Sequence, residues 1–285
     1  MRARLANPWG APRVLRLVTI LYVIWSLVPV LLAVRFAFNS GRSRTALQGW
    51  SFRWFWGDPD LSVFHDPTLQ SALTHSLELA VIVMLISVPL GTALALGMRR
   101  WHGRGSGPAN VLMLLPLVTP ELVFAVGMFL LFTTAFDFIG LGTTAQAIGQ
   151  VTFTLSYVVV IVRGRLVSIG PEYEEAAADL GAPPRDQLFR VLLPLLAPAI
   201  VASAAVAFAI SIDDFVVTQY LSSDASTTTV SMLLYSNARG APTPALNAIA
   251  TVGLVITLAT LAAAFFVYRR FAGGKEATSL ATLEV

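Results

Sequence analysis

The stretch PEYEEAAADLGAPP, residues 171–184, interrupts an otherwise apolar part of the chain and is the most informative segment of the sequence. A proline opens it, and acidic residues follow in the first turn, where they suit the positive end of a helix dipole. Gly181 stands where a C-terminal helix cap belongs. A second short helix is predicted at about Arg185 to Arg190, before Val191-Leu192-Leu193-Pro194. In isolation this pattern predicts a helical hairpin that merely connects two longer helices.

The composition around this hairpin is that of a membrane protein. Of 285 residues, 56% are hydrophobic and 12% are charged, with a mean hydropathy of +0.73. An ordinary globular domain is about 25% charged, so a soluble enzyme, a disordered chain and a disulfide-stapled secreted domain are excluded. The chain has no cysteine, which removes thiolate metal sites and cysteine nucleophiles. The net charge of +3 is explained by basic loops at a membrane, so no nucleic-acid partner is expected.

Six apolar runs are long enough to cross a bilayer as helices. They are continuously apolar rather than alternating, which favours helices over barrel strands. The third run contains Pro116 and Pro120, so we expect a broken helix there. The first run is longer than the apolar core of a signal peptide, and we expect it to remain as a span. The six predicted spans are Leu17–Val34, Leu79–Met98, Val111–Phe132, Ala147–Val162, Leu195–Ile212 and Ala248–Tyr268.

Basic residues are distributed unevenly between the two sides of these spans. If the N-terminus is cytoplasmic, most of the 19 basic residues fall inside, and the few outside are Arg35, Arg42, Arg44, Arg53 and Arg239. This bias predicts that both termini and the 171–184 hairpin face the cytoplasm. The long outer loop, from Phe36 to about Ser76, holds a cluster of Trp50, Trp54, Phe55 and Trp56. We expect that cluster to rest at the membrane interface rather than to form a ligand cage.

The hairpin resembles a known family motif. Glu175-Ala176-Ala177, then Gly181, then Val191-Leu192-Leu193-Pro194 is similar to the EAA loop of permease subunits of ATP-binding-cassette (ABC) importers, although Val191 replaces the usual isoleucine. The resemblance covers about residues 68–266. It implies an all-α membrane protein with the six-helix type I ABC importer permease fold and a cytoplasmic coupling helix between spans 4 and 5.

The resemblance also implies partners and a division of the chain. The expected partners are ABC ATPase subunits, a second permease subunit, an external solute-binding protein and membrane lipid. Residues 1–67 would form an N-terminal cytoplasmic segment, the first span and an external loop; residues 68–268 the transmembrane domain; residues 269–285 a cytoplasmic tail. The residues carried over for coupling to the ATPase are Glu175, Ala176, Ala177, Gly181 and Pro194.

Three acids lie within or beside the apolar runs. A carboxylate near the bilayer centre costs about 2.5–3.5 kcal/mol on insertion scales, and an acid at a helix C-terminus opposes the dipole. Glu121, Asp213 and Asp214 are therefore predicted to line a cation pathway, with Glu121 at an inner constriction and the Asp pair at the outer mouth. The alternatives are an acid neutralised by a neighbouring helix and an exposed interfacial pair.

The residues around these acids indicate a particular group within the permease family. Ser211-Ile212-Asp213-Asp214-Phe215 and the segment 243–248 are similar to spermidine/putrescine permease subunits, whereas Ser223-Asp224-Ala225 replaces their usual Gly-Pro-Gly. Transport of a small organic cation in the plasma (inner) membrane is thus the favoured function. Another solute such as a phosphonate, thiamine, ferric ion or sulfate-type anion is the alternative within the family. Outside the family, the rivals are a secondary transporter or channel and a membrane enzyme.

Catalytic and metal-binding patterns are absent from the sequence. No phosphate-cradling Gly-x-x-x-x-Gly-Lys-Ser/Thr sequence occurs, so the chain is expected to be no enzyme, with ATP hydrolysed by a partner. The histidines His65, His75 and His102 have no metal-ligand spacing, and neither a metal nor a cofactor is expected.

Overall fold

A computed structural model describes residues 13–43, 46–239 and 243–281. Three parts of the sequence-based predictions lie outside the described residues. They are the N-terminal segment up to residue 12, Arg44 of the outer loop, and residues 282–285 of the tail. Within these ranges the protein is helical, with one isolated antiparallel bridge between Asn39 and Trp50.

Eleven helices make up the described part of the chain. Wide turns of π-helical geometry at Leu131–Ala135 and Gln187–Leu192 continue a neighbouring helix, and another at Arg53–Gly57 lies in the loop between α1 and α2. The helices are α1 (Arg13–Ala37), α2 (Pro67–Arg100), α3 (Ser106–Val118), α4 (Glu121–Leu130), α5 (Thr143–Ile169), α6 (Glu172–Asp179), α7 (Pro184–Asp186), α8 (Leu193–Asp213), α9 (Val216–Leu221), α10 (Val230–Arg239) and α11 (Pro244–Ala281).

The prediction of six membrane-spanning helices is confirmed. Five helices of the described chain are each long and apolar enough to cross a membrane, and a bent pair supplies the sixth. That pair, Ser106–Val118 and Glu121–Ala135, is bent by 107°. The bend falls at Pro120, which is extended (φ −53°, ψ 130°) and cannot donate a backbone hydrogen bond. The predicted break of the third span is therefore present.

Two sequence-based boundaries were wrong. The outer loop does not reach Ser76, because α2 already begins at Pro67. The Asp66 side chain caps this helix by accepting hydrogen bonds from the amides of Thr68 and Leu69. The short helix at Arg185 to Arg190 is not separate, because it runs without a break from Pro184 to Asp213. A wide turn of π-helical geometry at Gln187–Leu192 directly precedes Pro194. Such a turn accommodates the missing hydrogen bond of a proline within a continuous helix.

The aromatic cluster of the outer loop is also placed differently from the prediction. Trp54 is fully buried, and its indole N–H donates to the Asn39 carbonyl at 2.6 Å. Phe55 is buried beside it in a core shared with α2, α10 and α11, whereas Trp50 and Trp56 are exposed. Only the outer members of the cluster are therefore free to rest at an interface.

The centre of the molecule is a packed group of α2, α5 and α8. Val158, Val159 and Val162 of α5 are fully buried in it. Gly91 of α2 permits the close approach, because a Cβ there would lie 2.6 Å from Val158 Cγ1. Small residues at such crossings are typical of membrane helices. This three-helix group carries the two sites described next at its opposite ends.

Candidate functional site

An acidic cavity lies where α4, α5 and the end of α8 meet. Its volume is about 370 Å³, and its lining includes Glu121, Asp213 and Asp214 together with Phe153 and Tyr157. Glu121 and the Asp pair are separated by some ninety positions in the chain but share this one cavity. The prediction of an inner constriction at Glu121 apart from an outer mouth at the Asp pair is therefore wrong.

Local sequence explains why Glu121 is available to the cavity. Pro120 ends the connection from α3, and Glu121 occupies the first turn of α4. An acid is favourable at this end of a helix because the unpaired amides there carry partial positive charge. The side chain is exposed in the isolated chain. The proline break thus presents a carboxylate in the middle of a membrane span.

Within the described chain, hydrogen bonds hold the Asp214 carboxylate, whereas none reaches that of Asp213. The Asp214 carboxylate accepts hydrogen bonds from the Gln150 side chain at 2.9 Å and the Thr218 amide at 2.9 Å, and the Val217 amide adds a longer contact at 3.4 Å. It thereby caps α9 and is buried. Asp213, one residue earlier, is exposed. The two carboxylates therefore have different roles: one organises the backbone, and the other is free to meet a ligand.

Aromatic rings border the acids. The Phe153 and Tyr157 rings lie 5.5 Å apart by centroid, and Phe124 extends the row at 5.8 Å from Phe153. Ring faces attract cations, so carboxylates and rings on one cavity wall form a chemically consistent cation surface. The sequence analysis missed Phe153 and Tyr157. Their i, i+4 spacing on the fourth span was the signal that could have identified them.

A buried polar network fixes the frame behind the cavity. Gln146 is fully buried; its Oε1 lies 2.9 Å from His75 Nε2, and its Nε2 donates to the carbonyls of Thr218 and Thr227. One turn along, the Ser211 hydroxyl donates to Gln150 Oε1. Because these groups satisfy one another away from water, the network specifies how α2, α5, α8 and α9 meet.

The connection after α9 adopts its own capped turn. Asp224, where the resemblance predicts glycine and proline, caps a single 3-10 turn at Ala225–Thr227. Hydrogen bonds from the side chain and amide of Ser226 hold the pKa of Asp224 below its usual range. The residues that depart from the expected sequence therefore form a capped turn of their own, in which Asp224 accepts from the amide and hydroxyl of Ser226.

The 171–184 hairpin lies at the opposite end of the three-helix group. The prediction of a helix is confirmed by α6, Glu172–Asp179. The chain then reverses at Gly181, whose φ is +79°, a left-handed conformation that glycine adopts without strain. A Cβ at Gly181 would meet nothing within 4 Å. Conformation rather than space therefore demands glycine at this position.

Ion pairs attach the hairpin to the end of α2. Glu174 accepts from Arg100 at 2.6 Å and lies 3.1 Å from Arg99. Arg99 also donates to the carbonyl of Gly170 at 2.9 Å. The sequence analysis missed this attachment, since nothing in the local pattern connects Glu174 to arginines more than seventy positions earlier.

The outward surface of the hairpin combines small, acidic and apolar residues. Glu175 and Ala176 are exposed, and so are the larger side chains of Tyr173, Leu180 and Phe189. Leu180 is 89% exposed, and with Tyr173 and Phe189 it gives the hairpin apolar side chains that a partner could cover. Pro194, the last residue of the motif, lies in the first turn of α8 and so belongs to the span rather than to this surface.

A helical bundle with a proline-broken span and an exposed polar hairpin is the architecture of a membrane transport subunit. The chain belongs to the family of binding-protein-dependent transport system inner membrane components, whose family model matches residues 87–274. It is a transmembrane component of that family.

Individual relatives agree with this membership. The chain is 34% identical over 251 residues to the putrescine transport system permease protein PotI of Escherichia coli K12, covering 86% of this chain and 85% of PotI. It is 30% identical over 243 residues to the spermidine/putrescine transport system permease protein PotC of Haemophilus influenzae, covering 85% and 91%. A subunit of a bacterial ABC transporter that imports alginate shares the fold, with a TM-score of 0.71 at 18% identity over 90% of this chain and 95% of that one.

Proposed function

We propose that this permease subunit moves a small organic polycation, putrescine or spermidine, through the acidic cavity. The observation that carries the proposal is the convergence of three carboxylates and two aromatic rings on one cavity at a broken membrane span. A polyamine leaving a binding protein loses carboxylate partners and must meet replacement charge along its path. The names of the relatives PotI and PotC support the same class of cargo.

Within this site the residues would act differently. Glu121 and Asp213 are exposed and would contact the cation, whereas buried Asp214 would set the position of α9 and the shape of the cavity. Phe153 and Tyr157 would offer ring faces to methylene and ammonium groups. Because the cation would contact separate exposed carboxylates on an open cavity, each contact would be weak enough for the cation to leave.

Coupling to ATP hydrolysis would occur at the hairpin. We infer that α6 docks on a separate ATPase subunit through Glu175, Ala176 and Ala177, with Gly181 allowing the reversal and Pro194 starting the following span. A second permease subunit and an external binding protein would complete the importer. This arrangement includes the cytoplasmic placement of both termini. It also includes the division of the chain into residues 1–67, 68–268 and 269–285.

Cargo is tested by uptake of labelled putrescine into vesicles that contain the complete importer. Glu121→Gln and Asp213→Asn should each lower the uptake rate severalfold without changing binding to the isolated binding protein. Asp137→Asn, an exposed acid outside the cavity, is the matched control and should transport normally. Normal uptake in both cavity variants would contradict the cation site. Transport of an anion but no polyamine by the unmodified complex would overturn the cargo and leave the permease class intact.

Orientation is tested by labelling a single cysteine, since the chain contains none. A cysteine introduced at Ala178 of α6 should react with a membrane-impermeant maleimide only in inverted vesicles or after permeabilisation. A cysteine at Ser226, in the turn beyond α9, should react from the opposite side and serves as the control. Labelling of both positions from the same side would refute the proposed topology.

A further inference from the structure

A second cavity lies beside the hairpin, at the same end of the bundle. Its volume is about 480 Å³, and it is bounded by the end of α2, the beginning of α3 and the last turns of α5. Its lining comprises Met98, Arg99, Trp101, His102, Ser106, Asn110, Arg163, Leu166 and Val167. Two of these residues are arginines and none is acidic, so the cavity is an electropositive recess at the edge of the membrane-spanning helices.

The positive charge of this recess is only partly neutralised. Arg163 donates to the neutral Asn110 side chain at 2.5 Å, and among the described residues no carboxylate lies within 4 Å of its guanidinium. Arg99 shares Glu174 with Arg100, and its Nη1 lies 3.1 Å from Glu174 Oε2. One full cationic charge therefore remains without a counterion inside a partly enclosed space.

The beginning of α3 adds to this field. Ser106 is the first residue of α3, a helix of 13 residues, and the helix has no side-chain cap. The Ser106 amide donates to the Gly103 carbonyl at 3.2 Å, and Pro108 has no N–H, so α3 acts here through the positive end of its dipole rather than through free amides. The polar side of the recess therefore offers the Arg163 guanidinium, the Ser106 hydroxyl and the positive end of a helix dipole to an oxygen-rich anion.

The remaining wall of the recess is apolar and half exposed. Val167 is 83% exposed, and Trp101 is 44% exposed. Tryptophan is enriched where membrane helices meet the headgroup layer, and Val167 stands on the spanning helix α5. An anion in the recess would thus lie next to a surface that favours hydrocarbon.

From this combination we propose that the recess binds the phosphate of an anionic phospholipid from the adjacent leaflet. Arg163 contacts the phosphate, the positive end of α3 and the charge of Arg99 strengthen its attraction, and an acyl chain lies along Val167. The proposal does not depend on the cargo. A lipid seated here lies next to the Arg99–Glu174 attachment of the hairpin, so occupancy would favour the ordered hairpin.

The experiment uses the purified complete importer, delipidated in detergent and titrated with phosphatidylglycerol or phosphatidylcholine of the same chain length. Native mass spectrometry counts the lipids retained. The unmodified complex should retain one phosphatidylglycerol per copy of this chain in preference to phosphatidylcholine. Arg163→Gln should weaken that retention about fivefold, the effect of one basic residue at a membrane surface. Arg269→Gln, at the end of the apolar span Pro244–Arg270 of α11 and outside the recess, is the control and should leave retention unchanged.

A second variant separates loss of binding from loss of folding. Ser106→Glu places an acid at the first position of α3, where it suits the helix dipole, yet it repels an anion from the recess. It should preserve thermal stability and weaken phosphatidylglycerol retention at least as much as Arg163→Gln. Equal retention by all variants would overturn the proposal. Displacement of the lipid by millimolar inorganic phosphate would overturn it in favour of a soluble anion, and absence of any lipid would indicate that a partner subunit fills the recess.

Discussion

Removal of the Glu174 carboxylate should loosen the hairpin from the bundle. Glu174 is 17% exposed at its side chain and contacts Arg99 and Arg100 at 3.1 Å and 2.6 Å. Fully exposed pairs contribute about 0.2–1 kcal/mol, and hydrogen bonds to charged groups about 1.5–3 kcal/mol. Since Glu174 is mostly buried while Arg100 is half exposed, we expect Glu174→Gln to cost about 1–2 kcal/mol. That cost lowers the ratio of attached to detached hairpin about 5- to 30-fold.

The assay is ATPase activity of the complete importer in vesicles, with and without the loaded binding protein. Glu174→Gln should lower the stimulated rate severalfold and leave expression in the membrane intact. Arg100→Gln should have a smaller effect, because Arg99 still holds Glu174. Glu172→Gln is the matched control, since Glu172 lies on the same helix, is exposed and has no ion pair within the described residues.

The double variant gives the decisive result. The hydrogen bond that Arg100 donates from its side chain goes to Glu174, so adding Arg100→Gln to Glu174→Gln should cause no further loss. Strictly additive losses in this cycle would refute the attachment. An effect of Glu174→Gln no larger than that of Glu172→Gln would refute it as well.

Three further changes test other parts of the fold. Gly181→Ala should cost about 1 kcal/mol because alanine resists the left-handed φ of +79°, seen as a lower melting temperature and weaker ATPase stimulation, and unchanged values would remove the conformational argument. Gly91→Leu should prevent stable assembly in detergent, since even a Cβ would lie 2.6 Å from Val158, whereas Gly97→Leu, with open space around it, should assemble normally in gel filtration. The hydrogen bond from Arg53 holds the pKa of Asp58 below its usual range, so this carboxylate stabilises the outer loop at neutral pH and loses that effect as the pH falls through its lowered pKa. Asp58→Asn should make proteolysis of the loop insensitive to acidification, and a persistent acid-dependent increase would contradict this assignment.

Local sequence patterns were sufficient to predict the helices and their breaks, but not which helices pack against each other. The proline break before Glu121, the helix after Pro171 and the reversal at Gly181 each follow from a few adjacent residues, and each was predicted. The sharing of one cavity by Glu121 and Asp213 depends on how separate helices pack, which periodicity alone does not determine. Gln146 and Gln150 offered a clue that went unused, because two amides one turn apart on an apolar span must find partners.

Burial was misjudged for a related reason. Trp54 belongs to a tryptophan-rich loop that composition assigns to the membrane interface. Its burial depends on Asn39 accepting the indole N–H and on the apolar ends of α2 and α11 closing over the ring. Neither condition can be read from the residues beside Trp54, because Asn39 lies fifteen positions earlier in the loop and α11 is remote in the sequence.

The two candidate sites are joined by continuous helix rather than by loops. Helix α5 runs from Gln150, which contacts Asp214, towards Gly170, whose carbonyl Arg99 holds, a distance of about 30 Å at 1.5 Å per residue. The helix from Pro184 to Asp213 runs back from the hairpin to the acids. Because the buried valines of α5 pack these helices tightly against α2, a shift of the hairpin cannot be absorbed locally. We therefore expect motion at the hairpin to reach Glu121 and Asp213 as a movement of whole helices, which is the form of change that alternating access requires.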